Sequence, residues 1–486
     1  MKLFSTLDRK VVDIATNDDG VFRIYSCGPT VYNQMHLGNV RAYVGWDILH
    51  RALLYLGYDV KRIMNVTDVG HMTSSDDFGD DFGEEKMDRQ AKKEGLEPID
   101  IANKYIGYVL NDFRRLNILS PCGKEIPKEL TYSDIGKYGW TRATEYIDEM
   151  IELIKKIEAN GYTYETDQAL YFDVSKFPEY TIFTGQELAE KEEGARDDVN
   201  VDPQKKNPAD FVLWMKRVGR YKDHIMNWDS PWGNGFPGWH IECSAMGVSN
   251  LGEYIDIHTG GIDHIPVHHT NERAQNIGAL GHAVVKYWVH NEWLVNKNDE
   301  KLSKSKGADT LDAVLDLGYD PMDVRFFFLS VNYHSKINFS FTALDGARNS
   351  RVSLMKKILE ISKAGSGGEL IKEYVDLFKK ELENNLNMSG VLALINDMIR
   401  SSKYSNADKF RTVLDFDRVL ALNLNDIESN GSDVECSDEV KELLEKRMSA
   451  KLEKNYVLAD EIRDSIEKLG FRVMDTGDGQ KVIKIR

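Results

Sequence analysis

A strand that ends at a glycine-proline turn, feeds a helix and returns as a second strand constrains this chain more than any other feature. Val21-Phe22-Arg23-Ile24-Tyr25-Ser26-Cys27 alternates as a strand does and stops at Gly28-Pro29. From about Gly38 to Tyr55 the apolar positions Val40, Tyr43, Val44, Leu49 and Leu53 recur at helical spacing. Gly57 ends that helix, and Val60 to Val66 reads as a strand again. A second run of the same kind comes much later: Tyr254 to His258 as strand, Thr270 to Leu280 as helix, Tyr287 to Val289 as strand. Alternation of this sort predicts an α/β fold with a parallel, doubly wound sheet.

Between the two runs lies a long polar stretch, 121–236, with its own helix (Ala143 to Ala159) and a strand at Ala169 to Phe172, an insertion that splits one sheet. After about residue 345 the pattern is helical, with segments 347–364, 368–387, 389–402 and 408–423 able to pack as a bundle. A polar linker, Glu428 to Ser437, then leads to a last helical pair and a short hairpin. A chain of 486 residues is too long for a single core. The expected units are 1–120, the insertion 121–236, 237–300, 301–346, the bundle 347–427 and a small C-terminal domain, 437–486.

Composition enters here through what it excludes. No apolar run reaches the roughly 18 residues of a membrane span, and Met1-Lys2-Leu3-Phe4 leads into charge rather than a signal peptide. The four cysteines are too widely spaced for a disulfide framework and fit a reducing cytoplasm. A formal net charge of −17 would repel phosphate at long range, yet 437–486 carries eleven basic and eleven acidic side chains and is locally neutral.

Three motifs carry chemistry. His36-Leu37-Gly38-Asn39 opens the first helix, where backbone N–H groups favour an anion and Gly38 leaves room for a flat base. No Walker A sequence occurs. Lys301-Leu302-Ser303-Lys304-Ser305-Lys306-Gly307 makes a cationic loop suited to phosphates; taken alone it also reads as a solvated charge run. Cys27, Cys243, His268 and Glu272 form a donor set suited to Zn²⁺, with His268 and Glu272 spaced i, i+4 on one helix face. Taken singly, a cysteine at a strand end is more often an inert buried thiol.

Together the histidine and lysine motifs, in this order on either side of a split sheet, resemble the two signatures of class I aminoacyl-tRNA synthetases. Ser26 to Tyr32, Gly238 to Met246, His268 to Glu272, Asn207-Pro208 through Trp214, and Trp228 to Gly233 narrow the resemblance to the cysteinyl-tRNA synthetase family, over nearly the whole chain. The resemblance implies a Rossmann-type catalytic domain and a KMSKS-type loop with a stem-contact region at 301–346. It also implies an anticodon-recognition domain at 437–486. The implied reaction joins L-cysteine to the 3′ end of tRNA(Cys) through a cysteinyl-adenylate, with ATP and Mg²⁺ as substrate, in a cytoplasmic monomer.

By the same resemblance, one Zn²⁺ on Cys27, Cys243, His268 and Glu272 grips the substrate thiol and discriminates against serine. His36 and Asn39 steady the phosphates, and Lys301 and Lys304 hold the departing pyrophosphate. Gly38, Gly260, Gly261 and Asp263 face the nucleotide, while Thr67 and Trp239 line the amino-acid pocket. The chain departs from the family pattern T-D-x-D-D-K at Thr67-Asp68-Val69-Gly70-His71, which puts contacts of the missing aspartate and lysine in doubt. A cysteine:amino-sugar ligase of the mycothiol type shares the fold and motifs but lacks a tail such as Glu445 to Thr476. Loss of a zinc or ATP motif residue would have suggested a catalytically silent RNA-binding paralogue, and none of those is missing.

Overall fold

The computed structural model describes residues 1–17, 19–69, 72–73, 84–184, 202–296, 309–425, 437–452, 455–469, 471–476 and 479–484. At its centre lie five parallel strands: β1 (Val21–Ser26), β2 (Asp59–Val66), β3 (Trp140–Arg142), β4 (Ile255–Gly261) and β5 (Val285–Asn291). Their order across the sheet is β3-β2-β1-β4-β5. The order reverses between β1 and β4, and in a doubly wound sheet the crevice at the carboxyl ends of such a pair is where ligands bind.

Side chains that alternate along each strand divide between two cores. Phe22, Ile24, Met64, Val66, Ile257 and Val289 face one core, with helix α1 (Leu37–Tyr55) and the helix Pro98–Arg115. Tyr25, Ile63 and Trp288 face the other, with the helix Ile147–Ala159, α2 (Trp239–Leu251) and α3 (Thr270–Leu280). Both faces are therefore covered, as a parallel sheet requires.

Within the stretch 121–236, β3 belongs to the central sheet. A separate antiparallel sheet begins at Thr163 and runs in the order Gly235–Pro237, Phe211–Lys216, Ala169–Phe172, Thr163–Glu165. Further on, helices Phe341–Ser362, Lys372–Glu383, Met388–Arg400 and Asn406–Leu420 pack around Ile358, Phe378, Ile395, Val413 and Phe416, each fully buried. The rings of Phe378 and Phe416 stack at 4.0 Å. Helices Asp438–Leu452 and Tyr456–Lys468 and the antiparallel pair Phe471–Thr476 and Gly479–Lys484 share a small core of their own, built on Val440, Ile462, Ile466 and Val473. Most of the linker anticipated at Glu428 to Ser437 falls outside the described residues. Among those described, no helix is long and apolar enough to cross a membrane.

A buried polar knot ties these parts together. Asp47, in mid-α1, accepts from Arg325 Nη2 (2.6 Å), Arg51 Nε (2.9 Å) and the Leu119 N–H (2.9 Å). Arg325, in the helix Pro321–Leu329, also donates to the carbonyls of Leu116 (2.8 Å) and Leu420 (2.7 Å). Asp47 and Arg325 are both fully buried. Burial alone would raise the Asp47 pKa, but Arg51, Arg325 and the Leu119 N–H outweigh it, and the carboxyl lies below its ordinary value.

Candidate active site

The turn after β1 brings the backbone unusually close to β2. A Cβ on Gly28 would lie 1.6 Å from the Asn65 carbonyl oxygen, so only glycine fits. Asn65 accepts from the Gly28 N–H (2.6 Å) and donates to Thr67 Oγ1 (3.0 Å), fixing both beside the crevice. Downstream, His36 caps α1: its Nδ1 accepts from the N–H groups of Gly38 (3.1 Å) and Asn39 (3.3 Å), which assigns the ring proton to Nε2. The room that Gly38 leaves is taken by this ring, since a Cβ there would meet His36 Cε1 at 2.9 Å. Glycine at 38 thus admits the histidine cap, where the sequence suggested space for a base.

His36, Gly38, Asn39, Thr67, Trp239, Gly261, Asp263, Cys27, Cys243 and His268 all line one cavity. Gly260 does not. It lies behind the cavity wall, where an added Cβ would stand 2.3 Å from His269 Cε1 and 2.8 Å from His264 Nδ1. Glu272 is likewise set back, beneath the cysteines. Lys301 and Lys304, with Gly70 and His71, lie outside the described residues. The segment that follows the lysine motif docks at the site: the Leu37 N–H donates to the Asp309 carbonyl at 2.6 Å, and His36 bridges Thr310. On the other rim, Arg41 of α1 donates to the carbonyls of Glu292 and Trp293, 2.6 Å each. Asp68 has a structural part, accepting from Tyr132 and from Thr144 Oγ1 (2.8 Å) and N–H (3.0 Å).

At the floor, ligand atoms of Cys27, Cys243, His268 and Glu272 lie within 4.8 Å of one another, and all four residues are buried. A second foursome within the same 4.8 Å, Cys27, His258, His269 and Glu272, shares two of them. Glu272 Oε1 stands 3.1 Å from His268 Nε2, and Oε2 stands 2.8 Å from His258 Nε2. Cys27 Sγ is 3.3 Å from His269 Nε2. Outer contacts orient the rings: His268 Nδ1 pairs with His240 Nδ1 (2.9 Å), His269 Nδ1 with His290 Nε2 (2.7 Å), and His290 Nδ1 with Thr6 Oγ1 (2.7 Å).

The expected i, i+4 pairing of His268 with Glu272 holds, but the backbone differs from a plain α-helix. A 3₁₀ turn, Ile262–His264, runs into a π turn, Ile265–His269, before α3 begins. A π turn widens the coil and re-aims side chains, a distortion common at functional sites.

The electrostatics of the floor call for a cation. Burial pushes the Cys27 thiol up, and the neighbouring Cys243 adds to this. Burial also opposes ionisation of Cys243, yet contact with Cys27 and the charge of His268 bring it down to about 6. Glu272, despite burial, is held down to about 2 by His258 and His268. His268 is disfavoured by burial but raised to about 10 by Cys243 and Glu272. Anionic donors sealed from water need a compensating positive charge. A proton on His268 supplies part of it, and two cysteine sulfurs, an imidazole and a carboxylate are a donor set that suits zinc. The residues therefore fit the ion.

The supporting residues His240, His258, His269, His290, Thr6 and Asn65 carry no site role in the sequence reading, although His240, His258 and His269 lie inside its strings. One signal was present: seven of the twelve histidines fall between residues 240 and 290.

The family model for the tRNA synthetases class I (C) catalytic domain matches residues 14–349. Sheet order, crevice and helix cap are thus those of a class I aminoacyl-tRNA synthetase. Solved structures agree at the level of fold: methionyl-tRNA synthetase of Mycobacterium tuberculosis with methionyl-adenylate (TM-score 0.52, 15% identity, 83% of this chain and 90% of that one) and a leucyl enzyme of Agrobacterium radiobacter in a ternary complex (TM-score 0.56, 10% identity, 87% and 86%). In sequence the chain is 39% identical to the cysteine–tRNA ligase of Treponema denticola over 98% of both chains. It is 37% identical to that of Borreliella burgdorferi over 99% of both, and 36% identical to cysteine–tRNA ligase 1 of Burkholderia lata over 99% of this chain and 96% of that one. The chain belongs to the cysteinyl-tRNA synthetase family and is an aminoacyl-tRNA ligase.

Proposed function

We propose that this enzyme activates L-cysteine with ATP and passes the cysteinyl group to the 3′-terminal adenosine of tRNA(Cys), selecting cysteine over serine by its sulfur. One observation carries the reading: the buried foursome Cys27, Cys243, His268 and Glu272 opens onto the cavity that also receives the N-terminus of α1. Zinc held by those four side chains supplies a soft, Lewis-acidic seat that a thiolate fills far better than a hydroxyl does.

The remaining work falls to the chain's own groups, and positioning dominates it. Thr67, held by Asn65, and Trp239 flank the amino acid. The substrate carboxylate attacks the α-phosphorus of ATP, giving cysteinyl-adenylate and pyrophosphate. His36, with its proton on Nε2, and Asn39 steady the phosphates at the positive end of α1. Gly261 and Asp263, at the end of β4, face the nucleoside, and Gly260 acts from behind as the close backing of that wall. Lys301 and Lys304 hold the leaving pyrophosphate; the docking of Asp309 and Thr310 against α1 supports this, because it delivers the end of their loop to the cavity rim. ATP arrives with Mg²⁺. We assign anticodon recognition to 437–486 and the lysine motif with the tRNA stem contact to 301–346. A single chain carries every group the reaction uses, which suits a monomer, and the free thiols Cys27, Cys122 and Cys243 suit a reducing cytoplasm.

ATP–pyrophosphate exchange with cysteine and with serine, alongside metal analysis of the same sample, tests the reading. Exchange driven by cysteine alone, with one zinc per chain, is the expected result. A metal-free active enzyme, or equal use of serine, overturns it.

A further inference from the structure

A metal seat that selects sulfur leaves one competitor untouched. Homocysteine is also a thiol, longer than cysteine by one methylene, and a soft ion grips both sulfurs alike. Only the pocket's walls can reject it, and a well-fitted wall discriminates one methylene by roughly 10- to 200-fold.

One wall is built for that task. His264 ends the 3₁₀ turn and stands one turn before His268, with ring centroids 5.3 Å apart. Trp239 meets His264 edge-on at 6.3 Å and lies over His268 at 4.3 Å. All three rings line the cavity at its cysteine-rich end. The Nδ1 of His264 is enclosed with no hydrogen-bond partner, as is that of His258, but His258 is tied through Nε2 to Glu272, whereas His264 meets its neighbours ring against ring. Its back is fixed. A Cβ on Gly260 would come within 2.8 Å of that nitrogen, and His269 stands 5.1 Å away. On that side the ring has no space to retreat into, and a wall backed in this way measures length.

We infer that His264 sets the length limit of the amino-acid pocket and closes it to homocysteine. The inference rests on the proposed thiol-seat reading and adds a specificity-determining residue to it. The role belongs to the bulk of the ring and not to its polarity.

The test compares kcat/KM for L-homocysteine with that for L-cysteine in ATP–pyrophosphate exchange, with bound metal measured by mass spectrometry on every sample. His264→Ala should raise the homocysteine-to-cysteine ratio at least about tenfold, chiefly through a lower homocysteine KM, with one metal ion retained. His264→Leu, apolar but of comparable bulk, should keep homocysteine excluded. A ratio in the Ala variant within about twofold of the parent's overturns the inference, as does a Leu variant that relaxes as far as the Ala variant. Should the Ala variant lose its metal, His264→Trp gives the reading from the opposite side: added bulk should raise the cysteine KM at least about tenfold with metal in place, and an unchanged KM counts against the wall. A parent enzyme that neither holds metal nor activates cysteine defeats the thiol-seat reading itself; a parent that does both, with variants of unchanged selectivity, defeats this inference alone.

Discussion

Cys243 sits where four influences meet: burial and the charge of Glu272, which oppose its ionisation, and Cys27 and His268, which favour it. Replacing its sulfur with the harder, far less acidic oxygen of serine removes a soft donor without changing the shape of the floor. Cys243→Ser, and equally Cys27→Ser, should therefore lower bound zinc at least about tenfold and abolish cysteine-dependent pyrophosphate exchange while the fold persists. Mass spectrometry, exchange assays and circular dichroism on one preparation check all three. At this scale the four proposed ligands were legible because each stands in a distinctive local string. Their partners were not. Nothing in the string around Thr6 or His290 announces that the two meet, since that contact spans 284 positions of chain. Gly38 shows the reverse limit: a glycine in a sequence signals close approach and does not say what approaches.

Helix α1 carries two functions, presenting His36 and Asn39 at one end and anchoring the knot at Asp47. Its His50 is buried, and burial together with the charge of Arg62 lowers its pKa to about 3 from an ordinary 6.5. The imidazole is thus neutral in the fold. Its contribution to stability is complete above about pH 6.5 and drains away as pH falls toward 3, at up to roughly 1.4 kcal/mol per pH unit. His50→Leu should flatten the acid limb of stability between pH 6 and 4, seen in urea midpoints across that range. The elements themselves were readable wherever their period was long: α1, α3 and the bundle helices lie where expected, although the first bundle helix starts six residues early, at Phe341 and not at 347. Strand β3 was not, because three residues are too few to show alternation. The π turn at 265–269 was also invisible, as propensity does not separate it from the α-helix that follows.

Across the whole molecule, the knot links the catalytic helix, the helix Pro321–Leu329 and the end of the bundle at Leu420. Arg325→Leu leaves the buried Asp47 carboxylate with Arg51 as its one guanidinium partner and should cost about 3 kcal/mol. Adding Asp47→Asn should recover part of that loss, and urea unfolding of the two single variants and the double variant measures the coupling. The C-terminal unit has its own core, so a chain ending near residue 425 should melt within a few degrees of the full chain and keep cysteine activation. Under the assignment of 437–486 to anticodon recognition, the same truncation should lose most tRNA charging. Calorimetry with paired exchange and charging assays decides both. The split sheet was legible in the sequence, since strand patterns flank a polar stretch. The knot was not: its charges are ordinary when read singly, and only packing brings them together.

Strand β1 and its parallel neighbour β4 are separated by more than two hundred residues of chain. A ribosome therefore releases Cys27 long before β4 or His269 has been made, and during that interval the thiol has no imidazole beside it and no companion cysteine to share an ion. No half-translated chain can charge an amino acid, and the nascent thiol depends on a reducing environment until the second half of the sheet arrives.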